Sequence, residues 1–167
     1  LAVVDQDIIL FEDTIANNIK MWDNSIEDFE MILAARDAQL HDDIMMREGG
    51  YQYRLTEGGK DFSGGQRQRM EIARVLAQDP TIVILDEATS ALDVTIQKQI
   101  MELLEELKEK HGLSFIFICH NLALVQMFCD RVLVLYEGKV VESGIPDDII
   151  NEPKEEYTRR LVDAVLS

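Results

Sequence analysis

Polar side chains that could act on a substrate follow three apolar runs of the chain. Asp86 and Glu87 come directly after TIVIL, His120 ends FIFICH, and Gln6 follows LAVVD. The carboxylate of Asp86 could orient a Mg²⁺ ion through its water shell, and that of Glu87 could polarise an attacking water as a general base. The imidazole of His120 could contact a phosphate and that water. The structural alternatives are an acidic strand end in solvent and a hydrogen-bonded histidine.

The pattern of elements around these groups predicts how they are positioned. Apolar runs of strand length at 82–85 and 115–119 are separated by the helical pattern VTIQKQIMELLEELKEK. Strands that alternate with helices predict an α/β fold with a mostly parallel sheet covered by helices. Neither run alternates polar with apolar residues, so we expect both faces of the sheet to be buried. Ligands of open parallel sheets bind beyond the carboxyl ends of the strands, so the polar groups should share one edge.

The sequence is read as one unit, residues 1–167, with three parts. Residues 14–78 form a mainly helical part, 79–143 hold the core strands and helices, and 144–167 form short C-terminal helices. In the helical part a capping box is expected at the residue pair Ser25 and Asp28. The helix that follows should bury an apolar face, because apolar residues recur at helical spacing: Ile26, Phe29, Ile32 and Leu33.

A second predicted helix begins in the stretch DFSGGQRQR and runs to about Gln78. Ser63 and Gln66 have the spacing of a capping box. The box does not explain Gly64 and Gly65, because each glycine costs a helix roughly 0.8–1 kcal/mol relative to alanine. A helix N-terminus has unpaired N–H groups and the positive end of the helix dipole, so it attracts phosphate. The two glycines are therefore predicted to let an anion reach the main chain.

Composition excludes some classes of protein. The net charge of −16 disfavours a module that binds nucleic acid, although an acidic surface also simply keeps a protein soluble. Cys119 and Cys129 have neither metal-ligand nor disulfide spacing, which is typical of reduced thiols in a cytosolic protein. No signal peptide is visible, and no apolar stretch approaches the roughly 20 residues that span a bilayer. The chain opens on Leu1 without a methionine, so we expect a piece of something longer.

Five motifs together resemble the nucleotide-binding domain of ABC transporters. SGGQRQR (63–69) is similar to the signature motif, TIVILDE (81–87) to Walker B with its catalytic glutamate, and SALD (90–93) to the D-loop. Gln6 in VVDQD matches the Q-loop glutamine, and His120 in FICHN matches the switch histidine. The motifs stand in family order, and the resemblance covers essentially the whole chain.

The resemblance implies an ATPase of the P-loop NTPase type with a helical subdomain. Two such domains would dimerise head to tail around two ATP molecules and drive transmembrane domains from the cytoplasmic face of a membrane. The family pattern implies the roles of individual residues. Glu87 and His120 would be catalytic, and Gln6 and Asp86 would bind the nucleotide together with Mg²⁺. Further nucleotide contacts would come from Ser63, Gly64, Gly65, Gln66 and Asp93.

The chain departs from the family pattern in three places. The Walker A loop G-x-x-x-x-G-K-[ST] is absent, since the Gly-Lys pairs at 59–60 and 138–139 have neither the leading glycine nor the following Ser or Thr. In the family that loop precedes the Q-loop, so this chain alone is expected to turn over ATP poorly. At the switch, Cys119 and Asn121 stand where Ser and Asp are usual.

The resemblance to subfamilies is mixed. DQDIILFEDTIANNI is similar to exporters of peptides and bacteriocins, whereas the sequence from about Val94 is similar to importers of oligopeptides and dipeptides. Both favour a peptide cargo without giving its direction. Two other functions stay open: a non-catalytic fragment, and a soluble ABC ATPase of DNA repair or translation. The soluble class usually has a coiled-coil insertion, zinc motifs or a charged linker, none of which is present.

Overall fold

The computed structural model describes residues 1–167, and the chain divides after Ile118 into two units. The first unit, Leu1–Ile118, holds three strands and five α-helices, and the second, Cys119–Ser167, holds a hairpin and three helices. The elements of the first unit are β1 Ala2–Asp5, α1 Ile15–Lys20, α2 Asp28–Asp37, α3 His41–Met45, α4 Gly64–Ala77, β2 Ile82–Asp86, α5 Val94–His111 and β3 Ser114–Ile118. Short 3₁₀ turns at Gly50–Gln52 and Glu57–Gly59 precede α4.

The three strands of the first unit form a parallel sheet in the order β1-β2-β3. Asp86 of β2 lies opposite Asp5 of β1 and Ile118 of β3, so the three carboxyl ends are level. Parallel neighbours need crossover connections, which the helices between the strands supply. The α/β fold with a mostly parallel sheet that the sequence predicts is thereby confirmed.

The prediction that both faces of this sheet are buried is wrong. On one face Val4, Val83 and Leu85 are buried, and the two valines form an apolar cluster with side chains of α4 and α5. On the other face four aliphatic side chains are 39–52% exposed, and we call them the open face: Val3, Ile82, Ile116 and Ile118. An unbroken apolar run therefore does not require helices on both sides, because the helices of this unit cover one side only.

Helix α2 differs from its prediction at its start and in its buried face. It begins at Asp28, where Glu27 and Glu30 form the capping box, while Ser25 instead binds Asp23 in the preceding turn. The buried residues are Met31, Ala34 and Ala35, and the helix packs against α4. Phe29 and Leu33, predicted to be buried, are 64% and 54% exposed. Two small alanines allow close helix packing, which explains why this face is the buried one.

A half-buried pair of side chains joins α3 to the turn that follows it. A 2.6 Å hydrogen bond joins Nδ1 of His41 to the phenolic oxygen of Tyr51. Burial raises the pKa of Tyr51 to about 12, and the nearby charge of Arg36 opposes the shift only in part. The tyrosine therefore keeps its proton in the folded protein over a pH range in which an unfolded tyrosine, with a pKa of about 10, loses it.

Changing Tyr51 to Phe is expected to remove one pH dependence of stability. At pH 8 the variant should be less stable by about 1 kcal/mol, because the hydrogen bond to His41 is lost. Between pH 10 and 12 the unfolded wild type releases a proton that the folded form retains, so wild-type stability falls as pH rises. By pH 11.5 this loss is about 2 kcal/mol, so the gap in urea unfolding that favours the wild type at pH 8 should close or reverse at pH 11.5. A constant gap would contradict the raised pKa.

The second unit is built around an antiparallel hairpin. Its elements are α6 Leu122–Phe128, β4 Val132–Tyr136, β5 Lys139–Gly144, α7 Pro146–Asn151 and α8 Glu156–Leu166. The carboxylate of Glu142 on β5 accepts the N–H groups of Lys154 and Glu155 at 2.6 and 3.0 Å, just before α8. Burial alone would raise the pKa of Glu142, but these N–H groups and the charge of Lys154 lower it overall. This capping is lost as pH falls through the lowered pKa.

Candidate functional site

The level carboxyl ends of β1 and β2 bring three of the predicted site residues to one edge of the sheet. Asp86 is the last residue of β2 and is half-buried, and Glu87 follows it directly. Gln6 is the first residue after β1, whose last residue Asp5 pairs with Asp86, and it is exposed to solvent. The strands therefore place a carboxylate pair beside an amide, as the sequence predicts.

Glu87 has an unusual backbone conformation for a residue other than glycine. The φ of Glu87 is +47°, which lies in the left-handed region. The N–H of Glu87 donates a 2.9 Å hydrogen bond to the carbonyl of Ile118 on β3, which fixes the turn. Non-glycine residues rarely adopt this conformation, and it is enriched at functional sites. The chain thus leaves β2 abruptly, and the orientation of Glu87 is set by the neighbouring strand.

The segment between β2 and α5 consists of consecutive tight turns. The N–H of Ser90 donates to Glu87, and that of Leu92 donates to Thr89. The buried hydroxyl of Thr89 accepts a 3.0 Å hydrogen bond from the side chain of Gln97 on α5. Asp93 caps α5, because its carboxylate accepts the N–H of Ile96 at 3.0 Å. Asp93 therefore has a structural role that the sequence analysis did not anticipate.

The start of α4 has the capping box that the sequence predicts. The hydroxyl of Ser63 accepts the N–H of Gln66 at 3.2 Å, and the amide oxygen of Gln66 accepts the N–H of Ser63 at 3.0 Å. The amide nitrogen of Gln66 donates to Asp43 of α3 at 3.3 Å. Ser63 and Gly64 are exposed at the helix end, where free N–H groups can meet an anion.

Gly65 is buried, and packing within the chain gives it a second explanation. A Cβ atom at this position would lie 2.9 Å from Cγ2 of Ile96 on α5. At Gly64 the nearest atom to such a Cβ is Cδ2 of Leu92, at 3.2 Å. Gly65 is thus needed for the close approach of α4 and α5, whereas Gly64 borders solvent. Packing thus gives Gly65 a reason besides an approaching anion, and the anion contact expected at both glycines stays a prediction.

A model of the ABC transporter family matches residues 1–90, more than half of the chain. The chain belongs to the ABC transporter family. It is similar over 99% of its length to a bacterial Atm1-family ABC exporter solved with ATP bound, with 30% identity and a TM-score of 0.81, and it covers 28% of that chain. None of its helices is long and apolar enough to cross a membrane.

Curated relatives of this ABC transporter chain are named as ATP-binding proteins. It is 50% identical over 111 residues to the peptidoglycan transport ATP-binding protein YejF of Agrobacterium fabrum, covering 66% of this chain and 20% of the relative. It is 45% identical over 120 residues to the oligopeptide transport ATP-binding protein OppF of Mycoplasma genitalium, and the match covers 72% of this chain and 14% of the relative. It is 48% identical over 107 residues to a putative peptide import ATP-binding protein of Brucella ovis, and the match covers 64% of this chain and 34% of the relative. The chain thus spans between 14% and 34% of the length of these relatives.

The remaining predicted site residues belong to other elements than β1 and β2. Ser63 and Gly64 are at the start of α4, and Asp93 is at the start of α5, the helix whose Ile96 contacts Gly65. His120 belongs to the second unit of this ABC transporter chain and is exposed, two residues beyond the end of β3. The roles that the resemblance implies for these residues stay predictions.

The donor set at the sheet edge fits Mg²⁺ bound together with phosphate. The chain contains no group of three or more His, Cys, Asp or Glu side chains that could hold a metal ion by themselves. Mg²⁺ prefers oxygen ligands and usually takes one or two carboxylates together with substrate phosphates and waters. The carboxylate of Asp86 and the amide oxygen of Gln6 are donors of this kind.

Sequence reasoning missed two arginines of α4 that contact the segment after Gln6. Arg67 donates to the carbonyl of Ile8, and Arg74 donates to that of Ile9. Contacts to main-chain carbonyls do not depend on the type of the partner residue, so they leave no pattern in the sequence. The one available signal is the spacing of seven residues, which places both arginines on similar sides of the helix.

Changing Gly65 to Ala is expected to test the contact with Ile96. Alanine improves helix propensity by roughly 0.8–1 kcal/mol, but the added methyl overpacks the α4–α5 contact at a cost of about 1–3 kcal/mol. Gly65→Ala alone should therefore destabilise the chain in urea unfolding. In an Ile96→Ala background the same change should be stabilising, because the obstructing methyl is gone. Destabilisation of equal size in both backgrounds would contradict the contact.

Proposed function

We propose that this chain is part of the ATP-binding and ATP-hydrolysing component of an ABC transporter that moves peptides. The observation that carries the proposal is the level end of β1 and β2, which sets Gln6 beside Asp86 and Glu87. The family membership supports ATP as the nucleotide. The names of the curated relatives, which refer to transport of peptides, oligopeptides and peptidoglycan, support the cargo class.

Asp86 and Gln6 would hold Mg²⁺ together with the phosphates of ATP. When bound, the ion neutralises charge that develops on the phosphate oxygens. Asp86 is suited to this role because β2 is paired on both sides, by β1 and by β3, so its last residue is held in place. Gln6 lies at the start of an irregular loop and would follow the γ-phosphate as the loop moves.

Glu87 would act as the general base of hydrolysis. Its carboxylate would take a proton from water as the water oxygen attacks the γ-phosphorus. The bond between that phosphorus and the β–γ bridging oxygen breaks, and ADP and phosphate are released. His120 would contact the γ-phosphate and the attacking water. In phosphoryl transfer the protein contributes mainly positioning and electrostatic stabilisation, which agrees with the fixed turn at Glu87.

The exposed start of α4 would bind the γ-phosphate of an ATP molecule held by a second nucleotide-binding domain. The N–H of Gly64 and the hydroxyl of Ser63 would meet the phosphate at the positive end of the helix dipole, while the N–H of Ser63 stays bonded to Gln66. Gln66 would hold this end in shape, and Asp93 would take part from the start of α5. The other partners would be transmembrane domains, with this component at the cytoplasmic face of the membrane. The net charge of −16 disfavours nucleic acid as a partner.

The proposal is tested by ATP hydrolysis in the full gene product that carries these residues. Hydrolysis should require Mg²⁺, and Asp86→Asn should lower the rate by about a hundredfold. Concentrations of Mg²⁺ that saturate the wild type should not restore the rate of the variant. The matched control is Asp147→Asn in the second unit, which should leave the rate unchanged. Normal hydrolysis in Asp86→Asn, or hydrolysis without Mg²⁺, would refute the assignment. The 167 residues lack a Walker A sequence, so this chain alone should be nearly inactive.

A further inference from the structure

Two arginines of α4 bind consecutive carbonyls of the loop between β1 and α1. We call residues 6–14 the Q-side loop. Arg67 donates from Nη2 to the carbonyl of Ile8 at 3.0 Å, and Arg74 donates from Nη1 to the carbonyl of Ile9 at 2.7 Å. The arginines are two helical turns, about 10 Å, apart along α4, and their side chains converge on neighbouring carbonyls of the loop.

Arg67 also holds the loop that leads into α4. Its Nη1 donates to the carbonyls of Gly58 and Gly59 at 2.5 and 3.2 Å. One guanidinium thus joins the Q-side loop, the approach to α4 and the first turn of α4 itself. Its planar fork can bind several acceptors at once, which a lysine ammonium on a flexible chain does less well.

Arg74 anchors the same loop through a buried network. It is 5% exposed, and it donates to the carbonyl of Asn18 at 2.6 Å, to the side-chain oxygen of Asn18 at 3.0 Å and to Glu71 at 2.9 Å. The fully buried side chain of Asn18 in turn pairs with both main-chain groups of Phe11. Side chains therefore hold the Q-side loop, in which residues 6–13 form neither helix nor strand.

We propose that Arg67 and Arg74 make the Q-side loop and α4 move as one body, so that the position of Gln6 is coupled to that of Ser63 and Gly64. This rests on the proposed function, in which Gln6 contacts one nucleotide and the start of α4 contacts another. Each arginine is a positioning residue, because it touches neither nucleotide. A displacement of the Q-side loop then displaces the start of α4, and the two ATP sites respond together.

A purely structural role makes a different prediction for double variants. If Arg67 only stabilises the fold, its loss and the loss of the Gln6 side chain reduce the rate independently, and the two factors multiply. If Arg67 acts through the Q-side loop on Gln6, its loss has little further effect once Gln6 is gone. Non-additivity of this kind is how coupling between residues is measured.

The test is a double-variant cycle in the full gene product, read as kcat for ATP. Gln6→Ala and Arg67→Gln should each lower kcat by about tenfold, and the double variant should stay within about twofold of Gln6→Ala. Arg67→Lys should recover part of the rate, since it restores one donor and the charge. The control is Arg69→Gln, because Arg69 lies on the same helix and makes no hydrogen bond to the Q-side loop. A double variant slowed about a hundredfold would overturn the proposal.

Hydrogen exchange without nucleotide separates this proposal from the proposed function. In Arg67→Gln the amides of residues 7–13 should exchange about tenfold faster than in the wild type, and in Arg69→Gln at the wild-type rate. If the wild type shows no ATP hydrolysis, the proposed function fails, but hydrogen exchange still shows whether Arg67 holds the Q-side loop. Equal exchange rates of these amides in Arg67→Gln and in the wild type would overturn the proposal that Arg67 holds the Q-side loop, whether or not ATP is hydrolysed.

Discussion

Changing Glu87 to Gln in the full gene product is expected to lower ATP hydrolysis by about a hundredfold or more. A general base contributes roughly 10²–10⁴-fold to a rate, and glutamine has nearly the same shape but cannot accept the proton. The change should leave ATP binding intact, because Glu87 is assigned no role in holding the phosphates. Two domains closed around ATP should therefore accumulate. The measurements are the steady-state rate and the mass of the complex by light scattering with Mg²⁺ and ATP.

The backbone at Glu87 makes this variant easy to interpret. The turn is fixed by the main-chain hydrogen bond from Glu87 to Ile118, which glutamine retains. Glu102→Gln on the exposed surface of α5 is the matched control, since it removes the same charge away from the sheet edge. Turnover at the wild-type rate in Glu87→Gln would refute Glu87 as the base. Loss of activity without accumulation of the ATP-bound complex would point to a role in binding instead.

Changing Gly64 to Asp is expected to abolish ATP-driven association with little effect on folding. Gly64 is exposed, and the Cβ contact is with a terminal methyl of Leu92, which can move. An acidic residue in the first turn is favourable for the helix itself. Opposite a phosphate, however, two like charges about 4 Å apart repel by about 4 kcal/mol at an effective dielectric constant of 20. ATP-dependent association should therefore weaken by at least about a hundredfold.

Gly64→Asn is the matched control, because it has the same shape without the charge. It should weaken association far less than Gly64→Asp. Thermal unfolding of the free chain should show both variants within about 0.5 kcal/mol of the wild type, as is usual for surface changes. If aspartate and asparagine weaken association equally, the effect is steric, and the assignment of a phosphate to the start of α4 is wrong.

Much of the fold is predictable from the sequence because the relevant signals are local. The strands β2 and β3 are apolar runs of the right length, and Gly112 ends α5 in the left-handed conformation that glycine adopts easily. The capping box of Ser63 and Gln66 involves residues three apart, so the sequence contains it completely. Local patterns of this kind do not depend on which other elements pack nearby.

The incorrect predictions concern surfaces, which depend on distant neighbours. The spacing of Phe29 and Leu33 indicates one apolar face of α2, but the alanine face is the one that packs against α4. The run around Ile116 shows that β3 is apolar, but not how many layers cover it. Likewise, the sequence contains Gly65 but does not show that Ile96 lies against it.

The candidate site is predictable to the same extent. Positions at strand ends follow from the parallel sheet, so Gln6, Asp86 and Glu87 are found together as expected. Arg67 and Arg74 are missed, because their partners are carbonyl groups more than fifty residues away in the chain. Such contacts depend on the tertiary arrangement of α4 and the Q-side loop.

The open face of the sheet affects how this chain behaves when handled by itself. Val3, Ile82, Ile116 and Ile118 form a water-exposed aliphatic surface on a molecule that carries a net charge of −16. Charge repulsion holds copies apart over a screening distance of about 30 Å in 0.01 M salt, which shrinks to about 3 Å in 1 M salt. Solubility of the isolated chain is therefore governed by ionic strength, and dilute buffers suit its purification better than concentrated ones.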